Sequence, residues 1–158
     1  MRVENNKVFF WGSVFSNWYP CKFVYKNIEF NCSEQALMYE KAMLFNDKDI
    51  AEQILNVETP KEQKSLGRKV SNYNDNIWNE NRMQIMIDIL TAKFSQSDKL
   101  KNKMLKYKGY TFVEASPVDT IWGIGLHEDN DLVLDENNWK GQNLLGKCLT
   151  YVCNHLND

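Results

Sequence analysis

The sequence predicts an α+β domain, mainly helical and arranged around a small sheet. Three observations carry that prediction. Helix-type periodicity fills the middle and the end of the chain, strand-type runs are few and short, and no repeat, low-complexity tract or Pro/Gly/Ser linker divides it. A single domain over residues 1–158, with a sizeable core, is therefore expected.

The elements follow in order. Val8-Phe-Phe-Trp11 is a short apolar strand, and Phe15-Ser-Asn-Trp-Tyr-Pro20 is a loop that Pro20 breaks. Cys21 to Phe30 reads as a hairpin. Phe23 and Tyr25 alternate with Lys22, Val24 and Lys26, and Lys26-Asn27 supplies the turn because Asn tolerates positive φ. Ser33 to Phe45 is a helix with Ser33 as its N-cap, and Asp47 to Asn56 is a shorter one. Thr59-Pro-Lys-Glu62 is a capping box with Pro at the first helical position, leading into a helix near Gly67 and Arg68. Asn79 to Phe94 is the longest helix, with Met83, Met86, Ile87, Leu90 and Phe94 as its core stripe. Ser97 caps a helix that stops at Gly109. Tyr110 to Ala115 alternates as a strand ended by Pro117, and Leu132-Val-Leu134 is a further short strand. Asn143 caps a final helix whose stripe is Leu145, Cys148, Leu149 and Val152.

Composition narrows the function. A net charge of −2 does not indicate a broad electrostatic grip on nucleic-acid backbone, and leans toward a small molecule or a modified nucleotide end without excluding short single-stranded DNA. Arg2, Arg68 and Arg82 are the only arginines, so a guanidinium clamp on phosphate falls to Arg68 or Arg82. Cys21, Cys32, Cys148 and Cys153 form no CxxC, and His127 and His155 lie at no zinc-like spacing from them. They read as buried, reduced thiols of an intracellular protein. No apolar run has membrane length and no signal peptide is recognised, so no membrane partner and a cytoplasmic location are expected.

Three constellations carry chemistry. At ~100° per residue, Glu34, Leu37, Met38, Lys41 and Phe45 share roughly one third of a helix circumference. A carboxylate and an amine on such a stripe either form a surface salt bridge or line one cleft. Seven residues put their Cα atoms ~10 Å apart along the axis, which disfavours direct contact. Glu114-Ala-Ser-Pro-Val-Asp119-Thr-Ile-Trp122-Gly-Ile-Gly125 ends a strand in a turn bearing a carboxylate, an indole and two glycines. Asp119 there is either a helix-capping residue in a turn or a site residue. It is not a Gly-rich phosphate loop, so no nucleotide fold follows from it. Trp139-Lys-Gly-Gln-Asn143-Leu-Leu-Gly146 either presents amides to an anion or packs Trp139 over a turn. Elsewhere, Asn17 and Trp18 either bond and stack a ligand or structure their loop. Trp78 reads as a staple or lid ahead of the long helix, His127 as solvated, and Lys93 as a snorkelling side chain.

Taken in order, these segments resemble the NADAR family. The matching stretches are Phe15 to Pro20, Ser33-Glu-Gln-Ala-Leu with Lys41-Ala42, Met83 to Phe94, Glu114 to Gly125, and Trp139 to Gly146, which together span about residues 8 to 152. The resemblance implies an α+β fold and an N-glycosidase. It implies as substrate either a phosphoribosylamino-pyrimidine intermediate of riboflavin synthesis or ADP-ribose joined through its anomeric carbon to guanine, including possible ADP-ribosylated DNA. It places the site acid on Glu34, an indole on Trp78, a second carboxylate on Asp119 with Trp122, and the lysine on Lys41. Gln35 stands where the family usually has His.

The implied chemistry breaks a ribosyl C1′–N bond. Positive charge grows on C1′ and negative charge on the departing nitrogen, so the first must be stabilised and the second protonated. Glu34 and Asp119 would form a carboxylate pair for this, as in glycoside hydrolysis. In a variant, the ribose opens and neutral Lys41 forms an imine with C1′. Trp18 and Trp122 would stack on the base or sugar, and Arg68 with amides near Gly123, Gly125 or Gly141 would hold the phosphate. No metal or redox cofactor is required. The competing reading is a non-catalytic ADP-ribose or NAD sensor, which would gain nothing from an acid and an amine in an apolar stripe.

Overall fold

The computed structural model describes residues 1–157. Its strands are β1 (Arg2–Glu4), β2 (Lys7–Phe10), β3 (Phe23–Tyr25), β4 (Ile28–Phe30) and β5 (Thr111–Glu114). Its α-helices are α1 (Ser33–Leu44), α2 (Lys48–Leu55), α3 (Pro60–Gly67), α4 (Asp75–Ser95), α5 (Asp98–Leu105) and α6 (Leu144–His155). The architecture is α+β. The chain forms two compact units, one from Met1–Ser16 with Ser97–Asp158 and one from Asn17–Gln96.

In the first unit a three-stranded sheet runs in the order β1-β2-β5, with β1 antiparallel and β5 parallel to β2. The central strand is covered on both faces, so Val8, Phe9 and Phe10 are all buried and the run is apolar without alternation. Phe9, Val113, Ala115, Ile124, Leu126 and Val133 form one core cluster. Phe15 packs edge-on against Phe10 and Phe112. The α6 stripe of Leu145, Cys148, Leu149 and Val152 is buried as expected. Strand β1 has no apolar alternation and goes unread in the sequence. Its signal is the Asn5-Asn6 pair, both at positive φ, which turns β1 back onto β2.

Two expectations here are corrected. Leu132-Val-Leu134 is not a strand but part of a 3-10 turn (Asp131–Leu134), because the Asn130 side chain accepts from the Leu132 amide and winds the segment up. Asn143 precedes α6 but gives it no side-chain cap. It adopts a left-handed conformation, and its amide clips the open edge of β5, with Glu114 N donating to Oδ1 at 2.9 Å and Nδ2 donating to the Phe112 carbonyl at 3.0 Å. Gly146 is required beneath that clip, since a Cβ there would collide with the Phe112 carbonyl and the Asn143 amide.

In the second unit β3 and β4 form the expected hairpin, with Lys26 and Asn27 both at positive φ. Phe23, Tyr25 and Phe30 point inward. Gln96 extends the outer edge of β3 by bonding both backbone groups of Val24. Asp47, Thr59 and Asn74 cap α2, α3 and α4 through their side chains.

Three further expectations are corrected. Cys32, not Ser33, is the N-cap of α1, and Ser33 is the buried first helical residue. Asn17 shares the closing of that helix end, its carbonyl accepting from Glu34 N at 3.0 Å. The long helix begins at Asp75 rather than Asn79, because Asn74 caps it by accepting from Ile77 N. Trp78 is therefore the fourth helical residue rather than one ahead of the helix, and it is buried. The inward face of α4 runs through Met86, Ile89, Leu90, Lys93 and Phe94, while Met83 and Ile87 sit on its flank.

Among the described residues no helix is long and apolar enough to cross a membrane, and no disulfide and no cluster of potential metal ligands occurs.

Candidate active site

Glu34, Lys41, Asn17, Trp18, Arg68 and Trp78 belong to the second unit. Glu34 is 7% exposed in the first turn of α1. Lys41, two turns later, is half-buried. Its Nζ lies 4.7 Å from the centre of the Tyr73 ring and 5.8 Å from that of Trp78. Burial pulls the Lys41 amine below its ordinary range and Arg68 adds to the fall, while Glu34 and Asp75 oppose it. No carboxylate pairs with Lys41 at ion-pair distance among the described residues, so a surface salt bridge with Glu34 is not what this stripe forms.

Asn17 is buried, with Nδ2 at 3.5 Å from the Met86 sulfur. Its Oδ1 finds no hydrogen-bond partner among the described residues, which leaves an acceptor available next to the Glu34 turn. Trp18 is 45% exposed. Arg68 is exposed at the C-cap of α3. Gln35, at the family's His position, is a buried bracket. Its Oε1 accepts from Asn31 N and its Nε2 donates to the Ile54 carbonyl, tying the hairpin exit to α2.

Lys93 departs most from expectation. It does not snorkel; it is 0% exposed, and burial pulls its amine down to about 8. Its spacing from Met86, Ile89 and Leu90 is that of one helix face, and this was the available signal. The Cys32 thiol, pushed up to about 11 by burial, feels both Glu34 and Lys93, so this amine bears on the same helix end as Glu34.

Asp119, Trp122, Gly123, Gly125, Trp139 and Asn143 belong to the first unit. Asp119 is partly exposed and organises a tight turn. Its Oδ1 accepts from Ile121 N and Trp122 N, both at 2.9 Å, and its own N–H donates to Ser116 Oγ at 3.1 Å. Gly123 and Gly141 are needed for close approach. A Cβ at Gly123 would crowd the Asp119 and Glu114 carbonyls, and one at Gly141 would strike the Gly123 carbonyl. Gly125 adopts φ 74°. Trp139 packs on the sheet core and its indole N–H donates to the Val133 carbonyl at 2.9 Å. The amides of Lys140 and of Gln142 through Leu145 bond to carbonyls of residues 120–124. Trp139 therefore lies over a turn, and those amides stitch two loops together.

Two more residues are given no role of their own by the sequence. Glu114 ends β5 as a buried carboxylate, two positions from buried Phe112 and on the same strand face. Tyr73 lies in a loop with no periodicity to expose it.

An α+β domain whose helical unit holds a buried acid and a desolvated amine among aromatic rings fits an enzyme that works on a small organic group. The NADAR domain model matches residues 9–157, and the chain belongs to the NADAR family. It is 41% identical over 155 residues to protein irg-1 of Caenorhabditis elegans, covering 88% of this chain and 73% of that protein. It is 39% identical over 164 residues to N-glycosidase R617 of Acanthamoeba polyphaga mimivirus, covering 95% of this chain and 96% of that protein. The NMR structure of the E. coli protein YbiA superposes with a TM-score of 0.77 at 25% identity, over 94% of this chain and 83% of that one.

Proposed function

We propose that the chain is an N-glycosidase that hydrolyses the bond between ribose C1′ and nitrogen in an ADP-ribosyl or phosphoribosyl substrate, with Glu34, Lys41 and Asp119 as its catalytic residues. One observation carries the reading: an amine drawn below its ordinary range by burial sits in an aromatic setting on the helix that also presents a buried glutamate. The mimivirus relative, matched over nearly its whole length, is named an N-glycosidase, which supports the same class.

Neutral Lys41 attacks C1′ and the C1′–N bond breaks. Glu34 takes the proton that the attacking amine sheds and returns it to the departing nitrogen, which keeps the bonding electron pair. The amine adduct opens to an imine; water adds to it and releases the sugar and the free lysine. Asp119 stabilises the positive charge at C1′, using the carboxylate oxygen that the turn does not occupy. Trp18 and Trp122 stack on base or sugar, and Trp78 flanks the amine. Arg68, with amides near Gly123, Gly125 or Gly141, holds phosphate. Asn17 offers its buried acceptor to the ribose. Trp139 and Asn143 act by fixing the loops that carry these groups. The chemistry calls for no cofactor, and a non-catalytic sensor would have no use for the amine.

The test incubates the protein with ADP-ribosylated guanosine, ADP-ribosylated DNA, a phosphoribosylamino-pyrimidine and NAD, and reads products by mass spectrometry. Release of free base or amine with an intact ribosyl phosphate is expected from one of them. Binding of ADP-ribose with no release from any substrate would sink the proposal.

A further inference from the structure

The Lys41 amine has a partner that neither the family pattern nor the sequence reading assigns. Tyr73 is 41% exposed, yet it is firmly located. On one side Ser71 bonds Asp47 through both its N–H and its hydroxyl, each at 2.9 Å. Asp47 is in turn fixed as the cap of α2. Asn72 turns the chain at φ 60°, and Asn74 caps α4 on the other side. The ring is thereby held against Phe45, with centroids 5.3 Å apart, and under the Lys41 ammonium at 4.7 Å. Trp78 supplies a second, more distant face at 5.8 Å.

We infer that Tyr73 is a positioning residue for Lys41: its ring face fixes the amine between α1 and the start of α4 and favours the ammonium over the neutral amine. The inference rests on the proposed role of Lys41, but its test does not. The negative face of an aromatic ring attracts a cation and is indifferent to a neutral amine. The other charged groups acting on Lys41 are Glu34 on its own helix, Arg68 at the end of α3 and Asp75 on α4. Asp75 and Arg82 also act on the Tyr73 phenol, and the phenol stays protonated through the working range because burial and Asp75 push it up to about 12. Tyr73 thus works through its ring and not through a phenolate.

The function of such a ring is restraint. Burial alone would shift Lys41 further toward the neutral, nucleophilic amine. The ring holds back part of that reactivity until substrate displaces the cation.

The test compares Tyr73→Leu, which keeps apolar bulk but removes the ring, with Tyr73→Phe, which keeps the ring and loses the hydroxyl. Lys41 acetylation by trace acetic anhydride is measured against pH by peptide mass spectrometry, with thermal melting to verify folding. In Tyr73→Leu the midpoint for Lys41 should fall by about half a pH unit. In Tyr73→Phe it should match the parent. A Leu variant whose midpoint equals or exceeds the parent's, or a Phe variant that shifts as far as Leu, overturns the inference. Release activity is followed in the same proteins. If the acid limb of activity moves with the labelling midpoint, Tyr73 and Lys41 both stand as proposed. If the midpoint moves and the limb does not, Tyr73 still positions Lys41, and Lys41 is removed from the chemistry.

Discussion

The Lys41 ammonium lies 5.8 Å from the centre of the Trp78 ring, and these two residues, thirty-seven positions apart, come from the second half of α1 and the first turn of α4. A buried indole at this point gives the amine an apolar neighbour that cannot accept its proton. That leaves the amine with ring faces and, among the described residues, no ion-pair partner, so burial draws it below its ordinary range while the rings hold back part of the fall.

Lys41→Met should therefore leave the fold intact and lower turnover at least a hundredfold, because Met keeps the apolar stem and removes the nucleophile. Borohydride added during turnover should trap a covalent sugar adduct on the peptide containing Lys41. An adduct on the Lys93 peptide instead would transfer the role to the other low-lying amine.

Asp119 separates turn-making from catalysis. In Asp119→Asn the remaining carbonyl oxygen still accepts from Ile121 N and Trp122 N, so the melting temperature should stay close to the parent's. Turnover should drop by about 10²-fold or more if the charge at C1′ needs the carboxylate. Asp119→Ala should lose both the turn and the activity. An Asn variant with full activity would confine Asp119 to its turn.

Lys93 makes stability depend on pH in an unusual direction. Its folded value of about 8 lies below the ordinary 10.5, so between these values the unfolded chain binds more protons than the folded one. Stability should rise with pH across that window, recovering a cost of about 3 kcal/mol that is fully felt below pH 8. Urea melts of the parent and of Lys93→Met, taken from pH 7 to 10.5, should differ by this slope, since Lys41 and the buried thiols titrate in both. Parallel curves would mean that Lys93 is not buried as a cation.

Asn143 is expected to matter for the fold. Asn143→Ala leaves the Glu114 N–H and the Phe112 carbonyl without their partners in a buried place, which should cost about 2–4 kcal/mol. A denaturant midpoint that falls without substrate present would check this. A variant with parental stability but a raised KM would instead assign Asn143 to substrate contact.

How much of this was legible depends on where each signal resides. The hairpin turn at Lys26-Asn27, the Thr59 box and the α6 stripe were read because their information is local: backbone chirality, capping chemistry and periodicity within a few residues. Glu34 and Lys41 were noticed for a related reason, as charged residues out of place on one helix face. Tyr73 could not be found this way. It owes its position to Asp47 and Asn74, which anchor its loop from outside, and no periodic pattern encodes that. Asn143 was misread because Asn before a helix usually caps it, whereas here a strand edge outcompetes the helix for the same amide. Lys93 was misread because its type outweighed its position: a lysine on an inward face was assumed to reach water.

The parallel pairing of Lys7 with Thr111 and of Phe10 with Glu114 has a consequence for biogenesis. On the ribosome, Val8-Phe9-Phe10 emerges roughly a hundred residues ahead of its neighbour, some 5–20 s at ordinary translation rates. During that interval the most apolar strand of the protein has only the short, polar β1 to lean on, and its other edge is open to strangers. The nascent chain is thus at greatest risk of aggregation until β5 follows the helix-rich middle, and yields should respond more to chaperones that shield early segments than to substitutions in the helices.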